Sequence, residues 1–136
     1  MMIREGCPMR TFSLLFLAAS LSSACGTSNP NSRRLQSITI NGLGNGSQVQ
    51  MTASGNFSAP PLTVTPLPVS WSLGLMAPPP TNLQYTLTTQ PYVYDCPGPG
   101  QSGPITAVAP ADPSAPQSGT LPFTKMVVAS GPIPCL

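Results

Sequence analysis

The chain predicts an all-β fold, and three observations carry that prediction. Its apolar residues recur with a period of two in several short runs. Proline and glycine gather mostly in the gaps between those runs. Beyond the leader, no stretch carries a helical period with caps. Many short strands joined by Pro- and Gly-rich turns point to a sandwich or a barrel.

The elements follow in order. Leu35, Ser37 and Thr39 alternate with Gln36, Ile38 and Ile40 in a first strand. Asn41-Gly42 and Asn45-Gly46 both tolerate positive φ, so the chain can turn at either. Val49, Met51 and Ala53 alternate with polar residues in a second strand. Val69, Trp71 and Leu73 make a third, Leu83, Tyr85 and Leu87 a fourth, and Tyr92-Val93-Tyr94 a short fifth. Ile105–Val108 and Leu121–Ala129 complete about seven strands. Pro122 inside the last run requires an edge or a bulge there. The Pro-rich stretch 97–118 reads as a long surface loop. Val69, Trp71 and Met51 are the expected core.

Ahead of this domain lies a leader. Arg4 and Arg10 precede the apolar run 12–21, which is too short to span a bilayer and suits a signal peptide. Met9 is an alternative start, because Met9-Arg10-Thr11 and the run behind it already make a complete signal. Residues 1–24 form the signal peptide on this reading, 25–34 a flexible tether, and 35–136 the folded domain. Arg33-Arg34 belongs to the solvated linker.

Charge is sparse. The sequence holds five Lys and Arg, three Asp and Glu, and no His. Past the leader only Arg33, Arg34, Lys125, Asp95 and Asp112 are charged. Nucleic-acid binding needs clustered cations and is excluded. Without histidine the commonest general base is missing, and a Ser–His–Asp triad cannot be built. Asp95 and Asp112 are the only carboxylates past the leader, and both sit beside loop prolines. No catalytic residue, metal site or cofactor is expected. Gly42-Leu43-Gly44-Asn45-Gly46 resembles a phosphate cradle but lacks the following helix and lysine. Trp71, Tyr85, Tyr92 and Tyr94 leave two readings open, a sugar-stacking platform or core and sheet-edge residues.

With Cys7 in the leader and Cys25 at the head of the tether, Cys96 and Cys135 are the even pair left in the folded domain, and in an oxidising compartment they are expected to bond. No Cys-x-x-Cys spacing suggests redox work, and two thiolates alone make a poor zinc site. The bond would tie down the tail 131–136.

Two resemblances add to these readings. Leu21-Ser22-Ser23-Ala24-Cys25 resembles the lipobox of bacterial lipoproteins, in which the cysteine is lipidated and becomes the mature N-terminus. The usual Leu stands one place upstream here, which leaves ordinary secretory cleavage open. Gly26 behind the cysteine implies outer-membrane sorting in that family. The runs 35–40, 50–58 and 69–72, ending in Val69-Ser70-Trp71-Ser72, resemble the bacterial group 2 immunoglobulin-like domains. Similar Pro-rich variants stand behind a lipobox in envelope proteins of soil acidobacteria. These resemblances imply an immunoglobulin-like β-sandwich held to the cell envelope through a lipid on Cys25. Its partners would be the membrane and an envelope protein or polysaccharide. The implied role is structural or adhesive, with a surface carbohydrate-binding module as the alternative.

Overall fold

The structure, a computed structural model, describes residues 33–136. The expected signal peptide, Cys25 and most of the expected tether lie outside the described residues. Within them the chain is nearly all β, with nine strands, one 3-10 turn and no α-helix.

The first two strands form a long hairpin, β1 (Leu35–Asn45) and β2 (Gln48–Phe57). It turns at Gly46, whose φ is +63°, a value that favours glycine at a tight turn. The other candidate, Asn41-Gly42, lies inside β1 instead. Packing explains why: a Cβ on Gly42 would sit 2.9 Å from Met51 Sδ and 3.2 Å from Pro134 Cγ. That glycine lets the strand approach its neighbours rather than turn.

In β2 every second residue is buried: Val49, Met51, Ala53, Gly55 and Phe57. In β1 the phase changes. Leu35 and Ile38 are both buried although they differ in parity. A bulge between Leu35 and Ser37 shifts the register and turns both toward the core.

β2 carries β1 along one edge. Its other edge is shared by β3 (Thr63–Val64) at one end and β6 (Tyr92–Asp95) at the other. A second antiparallel sheet has the order β4 (Ser70–Leu73), β7 (Gly100–Pro110), β9 (Met126–Cys135). A separate ribbon pairs β5 (Asn82–Thr86) with β8 (Ser118–Pro122).

The largest departure from expectation is β7. Only Ile105–Val108 were expected as a strand within the Pro-rich loop, yet the strand runs from Gly100 to Pro110 and is the central one of the second sheet. Ile105 to Pro110 are consecutively buried. With both faces covered the strand shows no alternation. The polar residue in this run is satisfied: the Thr106 hydroxyl donates to the Gly74 carbonyl at 2.7 Å and lies 2.7 Å from Ser130 Oγ. Pro104 sits beside a register shift and Pro110 at the strand end, where missing donors do the least harm.

The expected strand 121–129 is also two elements. β8 ends at Pro122, a 3-10 turn covers Phe123–Lys125, and β9 then runs to Cys135. Pro122 lies in a two-stranded ribbon, hence on an edge. Pro132 and Pro134 are accommodated because β9 is an edge strand.

Two buried clusters join the sheets. One combines Leu35, Ile38, Ala53 and Phe57 with Leu67, Val69, Ala107 and Ala109. The other combines Val49 and Met51 with Ile105, Ile133 and Cys135. Val69 and Met51 are thus core residues, as expected. Trp71 differs: it is only half-buried and packs against both clusters.

Candidate functional site

The charged and sulfur-bearing residues fall at two ends of the domain, and the aromatic residues are divided between the ribbon, β4 and β6.

At the far end, β6 closes on the start of β2. Asp95 pairs with Gln48 across the strands and accepts a hydrogen bond from Gln48 Nε2 at 2.6 Å. The next residue, Cys96, is bonded to Cys135 at the end of β9, with Cα atoms 5.6 Å apart. The bond therefore links the two sheets. Cys135 is buried within the second cluster, and Ser102 Oγ lies 3.4 Å from its sulfur. No free cysteine occurs among the described residues.

At the near end, where the described chain enters, Arg33 is docked rather than solvated. Its guanidinium carbon lies 3.5 Å from the Phe57 ring centroid. Its Nη2 donates to the Pro61 carbonyl at 2.7 Å, and its Nε donates to the Ala59 carbonyl at 3.2 Å. A planar cation over an aromatic face, with carbonyls at its edge, is a favourable arrangement for arginine. Next along the chain, the Arg34 amide donates to Ser58 Oγ and its carbonyl accepts from the Ser58 amide. The folded unit therefore takes in both arginines that sequence reasoning gave to the linker. The signal that was missed is a cation followed by a strand whose partner ends in an aromatic residue.

Beside Arg33 an apolar cleft of about 170 Å³ opens between Leu35, Phe57, Leu67, Leu87 and the loop around Asp112 and Pro113. Asp112 does not aim into it as a free base. Its Oδ1 accepts from Ser114 Oγ at 2.6 Å and from the Ser114 amide at 2.9 Å. Those two bonds hold its carboxyl below the usual range, and the nearby Arg34 charge adds to the shift.

The carboxylates are far apart. Asp95 adjoins Gln48 and Asp112 lies near Arg34, at opposite ends of the hairpin. The intervening strand steps of β2 amount to about 30 Å at ordinary strand rise. No group of three or more His, Cys, Asp or Glu side chains gathers among the described residues.

The aromatic residues do not form a platform. Tyr85 is buried, and its hydroxyl donates to the Pro116 carbonyl at 3.1 Å. Trp71 and Tyr92 are half-buried, with centroids 6.2 Å apart and planes tilted by 44°. Tyr92 and Tyr94 pack against the second cluster. The Trp71 Nε1 is buried without a hydrogen-bond partner. Gly42-Leu43-Gly44 is strand backbone rather than a phosphate loop.

No helix of the described residues is long and apolar enough to cross a membrane. No family model, curated protein or solved structure matches this chain.

Proposed function

We propose that the chain is a noncatalytic, immunoglobulin-like module of a bacterial cell envelope, held by a lipid on Cys25 and serving a structural or adhesive role. The observation that carries the exported part of this reading is the Cys96–Cys135 bond, which belongs in an oxidising compartment. The lipobox-like residues 21–25 add the anchor, and Gly26 behind them favours the outer membrane.

Strand order supports the immunoglobulin-like part. Strands β1, β2 and β6 lie together in one sheet, and β4, β7 and β9 in the other. In chain order they resemble strands A, B and E facing C, F and G of such domains. Trp71 stands on β4, the strand that carries the core Trp in antibody domains. The bond here joins the end of β6 to β9 rather than linking strands B and F. The β5–β8 ribbon is an addition to the pattern.

Two widely separated carboxylates, each already hydrogen-bonded, support a noncatalytic role. The tilted, half-buried aromatic residues favour it over sugar stacking. Such a module would act through an envelope protein or polysaccharide at its sheet edges or loops.

Metabolic labelling with a fatty-acid probe tests the anchor. The expected result is a labelled, membrane-bound protein that loses its label in Cys25→Ala. Unlabelled protein free in the medium would overturn the anchored reading. Crosslinking in intact cells should then recover the envelope partner.

A further inference from the structure

The charged side chains of the domain are not spread evenly. Among the described residues the cations are Arg33, Arg34 and Lys125. Arg33 is held at one end by its side-chain contacts, and backbone hydrogen bonds stitch Arg34 and Lys125 to the same end. Ser58 N donates to the Arg34 carbonyl, Leu35 N to the Ala111 carbonyl, and Ala111 N to the Lys125 carbonyl. Arg34 and Lys125 are exposed and line one shallow cleft with Asp112. The remaining charged side chain, Asp95, stands at the opposite end.

An apolar projection shares the basic end. Leu62 is 59% exposed, and its carbonyl accepts from Phe57 N directly beside the Arg33 contact with Pro61. Leu43, Leu73, Leu75, Val93 and Leu136 are exposed as well, Leu43 and Leu136 more so than Leu62, but no cation accompanies them. Among the described residues, only the entry end combines cations with an exposed large apolar side chain.

We propose that this end rests on an anionic lipid surface, with Arg34 and Lys125 at the phosphates and Leu62 among the headgroups. The proposal rests on the anchored reading for its geometry. Between Cys25 and Arg33 lie only residues 26–32, and the eight steps from one to the other reach at most about 29 Å when extended. A lipid on Cys25 would therefore keep the entry end within that distance of the surface. There the unequal charge distribution orients the domain: three cations against Asp112 face the lipid, and Asp95 faces away. Exposed cations each strengthen attraction to an anionic leaflet, and an apolar side chain adds burial. The sheet edges and the far end then remain free for a partner.

The experiment supplies the attachment chemically. The oxidised chain from residue 25 onward is coupled through its Cys25 thiol to a maleimide lipid in vesicles. Hydrogen exchange of the amides in 58–62 and 111–117 is compared on two surfaces. One is phosphatidylcholine with phosphatidylglycerol, the other phosphatidylcholine alone. Slower exchange is expected only on the anionic vesicles and only at low salt. The docked-to-free ratio should fall about five-fold for each of Arg34→Gln and Lys125→Gln. Leu62→Ser should lower it further, and Asp95→Asn should leave it unchanged. Equal exchange on both vesicles, or protection that survives loss of both cations, would overturn the proposal. Because the lipid is attached by hand, this outcome is independent of whether cells acylate Cys25, which fatty-acid labelling decides separately.

Discussion

At the entry end, Leu35, Phe57 and Leu67 close the core by packing, and Arg33 covers the Phe57 ring. At the far end, Val49, Met51 and Ile133 close it together with a covalent bond from Cys135 to Cys96. The difference follows from what each end has available. The entry end has loops that hydrogen-bond to one another through Ser58, Ala111 and Lys125. The far end has a four-residue strand, β6, and an edge strand carrying Pro132 and Pro134. The clasp joins that edge to the end of β6 in the other sheet, where no backbone pairing connects the two.

Removing the clasp should have the largest effect. Cys96→Ala with Cys135→Ala frees a loop of 39 residues in sequence separation. The chain-entropy account puts the loss at about 4 kcal/mol, read by urea unfolding. Hydrogen exchange should rise first at residues 92–96 and 131–135, while the entry end stays protected. Equal loosening of both ends would erase the distinction drawn between them.

Truncating either cluster comes next. Met51→Ala at the far end and Leu67→Ala at the entry end should each cost about 3 kcal/mol, from lost burial and the cavity left behind. The two should differ in how they combine with loss of the bond. Met51 shares a buried cluster with Cys135, so its cost should be non-additive; Leu67 does not, so its cost should simply add. A double-mutant cycle for each residue measures this.

A smaller effect belongs to Arg33. Arg33→Ala should lower stability by about 1 kcal/mol through loss of the ring contact and its carbonyl partners. Arg33→Lys should restore little of it, because an ammonium lacks the planar fork. Thermal melts of both variants check this.

The smallest effect is the pH response of the Asp112 loop. Folding lowers the Asp112 pKa from 3.8, so its ionised form favours the folded chain. That contribution is complete above the ordinary value and is lost as pH falls through the lowered one. Asp112→Asn should therefore narrow the gap in melting temperature between neutral and strongly acidic solution. The far end offers no such change through its cystine, which does not titrate.

Legibility in the sequence differed along the chain for one physical reason. β2 has one face in the core and one outside, so its alternation was readable residue by residue. β7 is buried on both faces only from Ile105 to Pro110 and begins among prolines and glycines, so its Ile105–Val108 run was readable as a strand but its length and central place were not. β1 carried a broken alternation, because its bulge changes parity after Leu35. Of the candidate site, the Cys96–Cys135 pairing was expected from the cysteine count and the proposed oxidising compartment. The docking of Arg33 on Phe57 did not, since it depends on where the hairpin ends meet.

By itself, then, the sequence determined an all-β chain, two candidate hairpin turns, the cystine and a shortage of acid–base groups. These are properties of local pattern and composition. Only the tertiary structure decided which strand is central, which glycine turns and which packs, and that the cations gather at one end. Those outcomes depend on residues far apart in sequence meeting across two sheets, and no local period encodes such meetings.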